Sequence, residues 1–316
     1  MARKVTDLES ASKKLAKAKH IDPAIILTKP SGTGSMETTS IGPIDQRWEI
    51  GSITKVFTSL LLAKLHTTNR IDLTSKVAQY LPSHLTLPAN FDQITFEDLA
   101  THRSGLPRLP AGMKLLGKGV MDDPYAIFTE DRVYQAIQET KLKRAPGTMG
   151  PKYSNYGAGL LGFILGLSQG KKYEELLQTE VLTPLGLTSA TFSDDSLRVG
   201  HARNKEVGPW HLGELKGMGG LRMTPTDLDE FLALSQDPNH ELSDAFAETL
   251  KIRYQAKRSA IGLSWMFLKN NNIVGHNGGT LGARTEAFIN LETKARVVVC
   301  GDGNGGTFPV ALDLIS

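Results

Sequence analysis

Gly51-Ser52-Ile53-Thr54-Lys55 follows the β-prone run Arg47-Trp48-Glu49-Ile50 and opens the apolar segment Val56 to Leu65. A strand that enters a helix through Gly-Ser sets the serine at the helix N-terminus. There, unpaired N–H groups and the positive end of the helix dipole favour developing negative charge. Lys55 stands three residues on, close to one turn, so its amine shares a face with the Ser52 hydroxyl. A hydroxyl, a neighbouring amine and a helix N-terminus are the parts of an activated serine nucleophile. The same residues equally describe an N-cap serine followed by a solvated lysine. The spacing S-x-x-K recurs at Ser10–Lys13 and Ser168–Lys171, so the pattern decides nothing until the rest of the chain is read.

Outward from this stretch, the chain reads as helix over 3–19, then a short apolar strand from Ala24 to Thr28 and a turn-rich hairpin or loop from Lys29 to Pro43. The Ser52 helix runs to about Thr68. A region of short helices and loops follows, punctuated by Pro82, Pro88, Pro107 and Pro110, with Thr95 to Asp98 fitting a capping box. Tyr125 to Leu142, Gly157 to Leu167 and Tyr173 to Leu182 read as helices, and Thr224-Pro225-Thr226-Asp227 caps another through Leu234. The last third is strand-like: Gly262 to Leu268, Ile273 to His276, Ala283 to Asn290 and Arg296 to Cys300, joined by turns short enough to imply antiparallel pairing. Thr307 to Ser316 leaves room for a short helix only. The fold class is therefore α+β: an antiparallel sheet flanked by helices, with a mostly helical lobe inserted. Residues 1–68 and 217–316 form the sheet lobe, 69–216 the helical lobe, and the active site is expected in the cleft between them.

Bulk properties narrow the function. The 316 residues are 40% hydrophobic and 22% charged, ordinary for a globular protein. Six of the 36 Lys/Arg lie in residues 1–22 against Asp7, Glu9 and Asp22, which leaves 30 basic and 30 acidic residues in the body. That balance gives no sign of nucleic-acid binding. The basic leading segment reads as a solvated amphipathic helix with Leu8, Ala11, Leu15 and Ala18 inward. The single cysteine, Cys300, sits in the buried-strand pattern Val297-Val298-Val299-Cys300 and excludes an intramolecular disulfide or a cysteine-clustered metal site. The eight histidines lack H-E-x-x-H spacing, so neither a metal nor any other cofactor is expected. No apolar h-region or membrane-length stretch occurs; the chain reads as cytoplasmic, or as periplasmic or extracellular if a signal peptide has been removed. The oligomeric state is left open.

Three short motifs line up in order: Ser52-Ile53-Thr54-Lys55, Tyr153-Ser154-Asn155 and His276-Asn277-Gly278-Gly279. With them come Leu99-Ala100-Thr101-His102-Arg103-Ser104-Gly105-Leu106-Pro107, Pro146-Gly147, Pro184-Leu185-Gly186-Leu187, Gly219-Gly220-Leu221 and Gly262-Leu263-Ser264-Trp265. Over residues 41–301 the chain resembles the serine β-lactamase/D,D-peptidase superfamily. It is similar to the branch that holds class C β-lactamases, D-alanyl-D-alanine carboxypeptidases and family VIII carboxylesterases.

The resemblance implies that Ser52 attacks a carbonyl and forms an acyl-enzyme, and that Lys55 and Tyr153 share the proton transfers. A tyrosine of lowered pKa beside a lysine ammonium would accept the serine proton; which of the two is the base in acylation is left open. Asn155 would orient Lys55 or bind substrate, as would His276, Asn277 and Gly278. The backbone N–H groups of Ser52 and Gly279 would form the oxyanion hole. His276 stands where many β-lactamases have lysine, and Asn277 replaces the usual threonine, so recognition of a substrate carboxylate is weakened; Arg284 is a candidate to compensate, or a plain exposed strand arginine.

The implied function is hydrolysis of a small ester or amide, with a carboxylesterase first, a D-alanyl-D-alanine carboxypeptidase or β-lactamase second, and an inactive binding homologue third. Partners are then small ester or peptide-like substrates. Two rival signals are set aside. Gly166-Leu167-Ser168-Gln169-Gly170 matches the G-x-S-x-G nucleophile elbow, but the alternating βαβ pattern of that fold is missing. Asp302-Gly303-Asn304-Gly305-Gly306 resembles a calcium loop, with Thr307 at the obligatory glycine position; it reads as a turn. His102 reads as structural.

Overall fold

Helix boundaries follow the polar side chains that can satisfy free N–H groups. In the computed structural model, which describes residues 5–113, 123–257, 259–268, 271–303 and 305–316, α1 (Leu8–Lys17) begins where Asp7 accepts the Ser10 N–H. Arg3, Lys4, Lys269, Asn270 and Asn304, which carry parts of the expectations above, lie outside the described residues. Next come the hairpin β1 (Ala24–Pro30) and β2 (Met36–Ile41), then β3 (Trp48–Glu49). A single 3-10 turn, Gly51–Ile53, leads into α2 (Thr54–Thr67).

The middle of the chain holds α3 (Phe96–Ala100), with the Thr95–Asp98 capping box formed, and α4 (Glu130–Glu139). It continues through α5 (Asn155–Gln169), α6 (Tyr173–Leu177) with a π turn over Gln178–Leu182, and the hairpin β4 (Gly200–Ala202) and β5 (Lys205–Val207). Then β6 (Arg222–Met223) pairs with β3, and α7 (Pro225–Leu234) and α8 (Ser243–Leu250) follow. The chain closes with β7 (Tyr254–Gln255), β8 (Ala260–Ile261), β9 (Met266–Leu268), β10 (Ile273–Gly279), β11 (Ala283–Asn290), β12 (Arg296–Asp302) and α9 (Thr307–Ile315).

The main sheet has eight strands in the order β2-β1-β12-β11-β10-β9-β8-β7, every pair antiparallel. Strand alternation sorts its side chains into two cores. Ile25, Leu27, Val297, Val299 and Phe288 face α1 and α9, joining Ala11, Leu15, Val310 and Ala311. Ala24, Ile26, Ala287, Ile289, Val298 and Cys300 face the opposite way, into the larger core with α2, α5, α7 and α8. The architecture is thus the expected α+β one, with an antiparallel sheet between helical layers. Cys300 is buried and free.

Several expectations need correction. Helix was expected over Tyr125–Leu142, but α4 begins only after Thr129, whose side chain caps it. Tyr125 and Phe128 instead form a turn, where the Phe128 carbonyl accepts the Glu214 N–H. Of the two readings of Lys29 to Pro43, hairpin or loop, the structure shows the hairpin: Met36–Ile41 pairs with β1 and is exposed along its whole length. Neither α8 nor β7 was anticipated. Among the described residues no helix is long and apolar enough to cross a membrane.

Candidate active site

The turn that holds Ser52 is clamped from several directions. The Ile50 N–H donates to the Leu221 carbonyl (3.1 Å), and the Ile50 carbonyl accepts from the Thr285 hydroxyl (2.9 Å). The Leu221 N–H donates to Thr54 Oγ1 at 3.1 Å. Close backbone approach requires glycine at two points. Gly51 adopts a left-handed conformation (φ +50°), and a Cβ there would stand 2.5 Å from Gly279 N; at Gly278 a Cβ would meet the Ile50 carbonyl oxygen at 1.9 Å. The first and third motifs are therefore in backbone contact, which brings the Ser52 turn against the residue expected to complete the oxyanion hole.

Ser52 Oγ has two close partners. Lys55 Nζ lies 2.9 Å away, and the Tyr153 hydroxyl donates to Oγ at 2.8 Å. Lys55 is fully buried and also donates to the Met218 carbonyl. Burial, reinforced by the positive charge of Arg108, holds its amine well below the usual lysine range. Burial pushes the Tyr153 phenol the other way, up to about 12, against the opposing effects of the Ser52 hydrogen bond and Arg108. This corrects the expectation of a lowered tyrosine pKa. The geometry sets an amine and a phenol on one serine oxygen, with the amine shifted toward its neutral form by burial. Lys55 Nζ and the Tyr153 hydroxyl both donate to Ser52 Oγ, and Nζ also donates to the Met218 carbonyl.

The remaining motif residues are also brought to this place, though not always in the anticipated way. Asn155 lines the same cavity and donates weakly to the Tyr125 hydroxyl (3.5 Å); its Oδ1 is buried without a partner. No hydrogen bond joins it to Lys55. His276 points inward, with Nδ1 2.6 Å from the Asn277 carbonyl and Nε2 unpartnered. Burial and then the Lys55 charge take it down to about 3, so it is neutral and offers no cation to a carboxylate. Asn277 is exposed and lines the same cavity as Ser52.

Sequence reading missed Arg108, Trp210 and the Met218 carbonyl, and undervalued His102. Arg108 is exposed, lies 5.2 Å over the Tyr153 ring and makes no ion pair among the described residues. Arg284, read either as a compensating cation or as an exposed strand arginine, is half-buried at the cavity wall, donating to the carbonyls of Thr280 and Ala283. His102 is buried against Tyr153 (ring centroids 4.5 Å apart) and its Nδ1 accepts the Ser154 N–H. Burial takes His102 to about 3, so it holds the tyrosine motif as a neutral ring. Its neighbour in sequence, Arg103, donates to the Gly147 carbonyl, so the L-A-T-H-R-S-G stretch could have been read as the shelf for Tyr153.

Ser52, Tyr153, Asn155, Trp210, Gly278, Gly279, Arg108 and Arg284 line one cavity of about 570 Å³, in which no described lining residue is acidic. Trp210 lines it too; its backbone N–H donates to Glu49 Oε1 (2.8 Å), its indole N–H is buried without a partner, and Glu49 Oε2 accepts from the Thr280 hydroxyl (2.8 Å). Ser168 plays no part here. It ends α5 and donates to the Leu165 carbonyl at 2.7 Å. Among the described residues, no group of three or more His, Cys, Asp and Glu could hold a metal ion.

The chain is similar to several known proteins. The chain is 29% identical over 245 residues to the D-alanyl-D-alanine-carboxypeptidase/endopeptidase AmpH of Escherichia coli, covering 71% of this chain and 62% of that protein. It is 31% identical over 209 residues to penicillin-binding protein 4 of Amycolatopsis lactamdurans, covering 66% and 48%. The chain thus spans less than two thirds of the length of these curated relatives. In solved structures it superimposes on a β-lactamase/D-alanine carboxypeptidase from Pseudomonas syringae with a TM-score of 0.78 at 18% identity, over 96% of this chain and 95% of the other. A class C β-lactamase matches with the same score and identity. The beta-lactamase family model matches residues 27–315. That match, over nearly all of the chain, decides what the low identities leave to the fold alone: this protein belongs to the beta-lactamase family, and its fold is class C-like.

Proposed function

We propose that this serine hydrolase cleaves small esters or amides through an acyl-enzyme on Ser52. The observation that carries the reading is the pair of contacts on Ser52 Oγ, Lys55 Nζ at 2.9 Å and the Tyr153 hydroxyl at 2.8 Å. In acylation the Oγ–C bond forms as the Oγ proton passes to neutral Lys55, the buried amine being the base. The backbone N–H groups of Ser52 and Gly279 face the developing oxyanion. When the tetrahedral intermediate collapses, the scissile bond breaks and the departing oxygen or nitrogen takes the Tyr153 proton, which the Lys55 ammonium replaces. Water then repeats the sequence in reverse and frees the acid. Asn155, with its unpartnered Oδ1, holds the substrate rather than Lys55. The cleft joins the sheet lobe (1–68 and 217–316) to the inserted lobe (69–216).

An ester is the first choice because the third motif has lost its fixed charge: His276 is buried and neutral, and Asn277 has no hydroxyl. One observation favours the second reading, a D,D-carboxypeptidase or β-lactamase. Arg108 and Arg284 put two guanidinium groups at a cavity without acidic residues, which suits a substrate carboxylate. AmpH, a D-alanyl-D-alanine-carboxypeptidase by name, is among the relatives.

Assaying a short p-nitrophenyl ester, a chromogenic cephalosporin and a D-alanyl-D-alanine peptide side by side separates these readings. The ester is expected to turn over fastest, with Ser52→Ala losing activity by a factor on the order of 10⁴ or more and Ser168→Ala staying within about twofold. Full activity in Ser52→Ala would sink the acyl-enzyme reading, and faster turnover of the peptide would replace the esterase by the peptidase.

A further inference from the structure

Beyond the Tyr153 ring lies a second cavity of about 380 Å³. It shares Tyr153 and Met266 with the Ser52 cavity and is walled by Pro151, Tyr254, Ile261 and Leu268, with Ala256 at its rim. None of its described lining residues is Asp, Glu, Lys or Arg, and its one histidine, His102, is neutral. The two cavities therefore differ in kind. The Ser52 side carries Arg108 and Arg284, whereas the far side of Tyr153 is apolar and uncharged.

We infer that this second cavity is the subsite for the leaving alcohol, and that the enzyme favours esters of apolar or aromatic alcohols. The inference rests on the acyl-enzyme reading and deepens it. Three directions around Ser52 Oγ are already taken. Lys55 lies buried on one side, Gly279 and the oxyanion donors on another, and the arginine-lined cavity receives the acyl part. The departing oxygen must reach the Tyr153 hydroxyl to collect its proton. Whatever that oxygen carries is then laid along the Tyr153 ring, and past that ring the open space is the apolar cavity. Burial of alcohol carbons there stabilises the transition state in proportion to the area removed from water. A cavity of about 150 Å³ holds benzene, so this one has room for a naphthyl group or an alkyl chain of comparable size.

Two ester series test the assignment on the full chain: acetates of methyl, butyl, hexyl and 2-naphthyl alcohols, and p-nitrophenyl esters of lengthening acids. In the alcohol series kcat/KM is expected to climb about fourfold per buried methylene, and the acyl series to be much flatter. Ala256→Trp, an exposed rim position that leaves the core intact, should lower the naphthyl-to-methyl ratio of kcat/KM by about tenfold or more. Leu268→Ala should move the optimum toward longer alcohols. Binding of 2-naphthol to the Ser52→Ala protein, followed by calorimetry, is independent of turnover and should be lost in Ala256→Trp. A flat alcohol series, or naphthol binding that Ala256→Trp leaves untouched, overturns the subsite. Naphthol binding that Ala256→Trp abolishes, in a protein that hydrolyses no ester, keeps the subsite and overturns the esterase reading instead.

Discussion

The chain spells S-x-x-K three times, and the structure treats the three lysines differently. Lys13 pairs with Glu9 at 2.5 Å along α1, and Lys171, in the turn between α5 and α6, pairs with Glu175 at 3.0 Å; both pairs are exposed. Among the described residues Lys55 has no carboxylate partner, and it is fully buried against Ser52, Met218 and the Tyr153 ring. Spacing is the same; surroundings are opposite. A paired surface lysine stays charged, while a buried one without a counter-ion is pushed toward its neutral, basic form. What separates the Ser52 pattern from the other two is the removal of water and carboxylates from around its lysine, the change that the proposed nucleophile requires.

That contrast can be broken most sharply at Lys55 itself. Arginine at this position keeps a charge but cannot lose its proton. Lys55→Arg and Lys55→Met should therefore both lower kcat by a factor on the order of 10²–10⁴, whereas Lys171→Arg should change it by less than about twofold. Recovery of activity in Lys55→Arg would show that charge, not basicity, is what Lys55 supplies. The pH profile follows with its sign. The active form needs Lys55 deprotonated, so kcat/KM should rise with pH through a Lys55 pKa well below the usual lysine range. No fall is expected until Tyr153 ionises near about 12.

A smaller effect sharpens the same point at Arg108, whose positive charge helps depress Lys55. Arg108→Gln removes it, raises the Lys55 pKa and should move the rising limb of the profile to higher pH. It should also lower kcat/KM for a carboxylate-bearing substrate by about tenfold relative to a neutral one. An unmoved limb in steady-state profiles would show that Arg108 does not act on the amine.

The smallest test lies away from the site. Glu286 on β11 is also buried without an ion pair among the described residues; its Oε1 accepts from the Thr307 hydroxyl at 2.8 Å. Burial raises it to about 8. The fold favours its protonated form, so that contribution is complete below the ordinary glutamate range and is lost as pH rises through about 8. Between pH 6 and 9 the Tm should fall by about 2 °C or more, and Glu286→Gln should flatten the decline. Equal slopes in the two proteins would show that burial without a counter-ion does not shift this group.

Much of this site was legible in the sequence because each motif is local. Ser52 and Lys55 lie one turn apart, Ser154 caps α5 directly after Tyr153, and the glycines after Asn277 signal a close approach that any Cβ would prevent. The capping residues Thr95 and Thr224 located α3 and α7 for the same reason. What stayed hidden depends on distant partners. Arg108 and Trp210 belong to loops without periodicity, and only the folded chain sets them over Tyr153 and Tyr125. β2 lacks any apolar alternation because both its faces are exposed, so its turn-rich surroundings left hairpin and loop undecided. The tyrosine pKa was misjudged because sequence shows a lysine nearby but not the desolvation that governs both groups.

The clamp on the Ser52 turn also fixes when, in the life of the chain, catalysis can begin. The Ile50 carbonyl is held by Thr285, 235 positions later, and the Lys55 amine by the Met218 carbonyl, 163 positions later. Contacts of such long sequence separation close late, because the intervening chain must first be ordered. A growing chain that has completed α2 already carries its serine and lysine, but the amine is still in water and paired with nothing that would hold it neutral. If Ser52 and Lys55 act as proposed, reactivity arrives with β10 and β11 rather than with the two residues themselves, and an unfinished chain carries a serine that cannot yet attack.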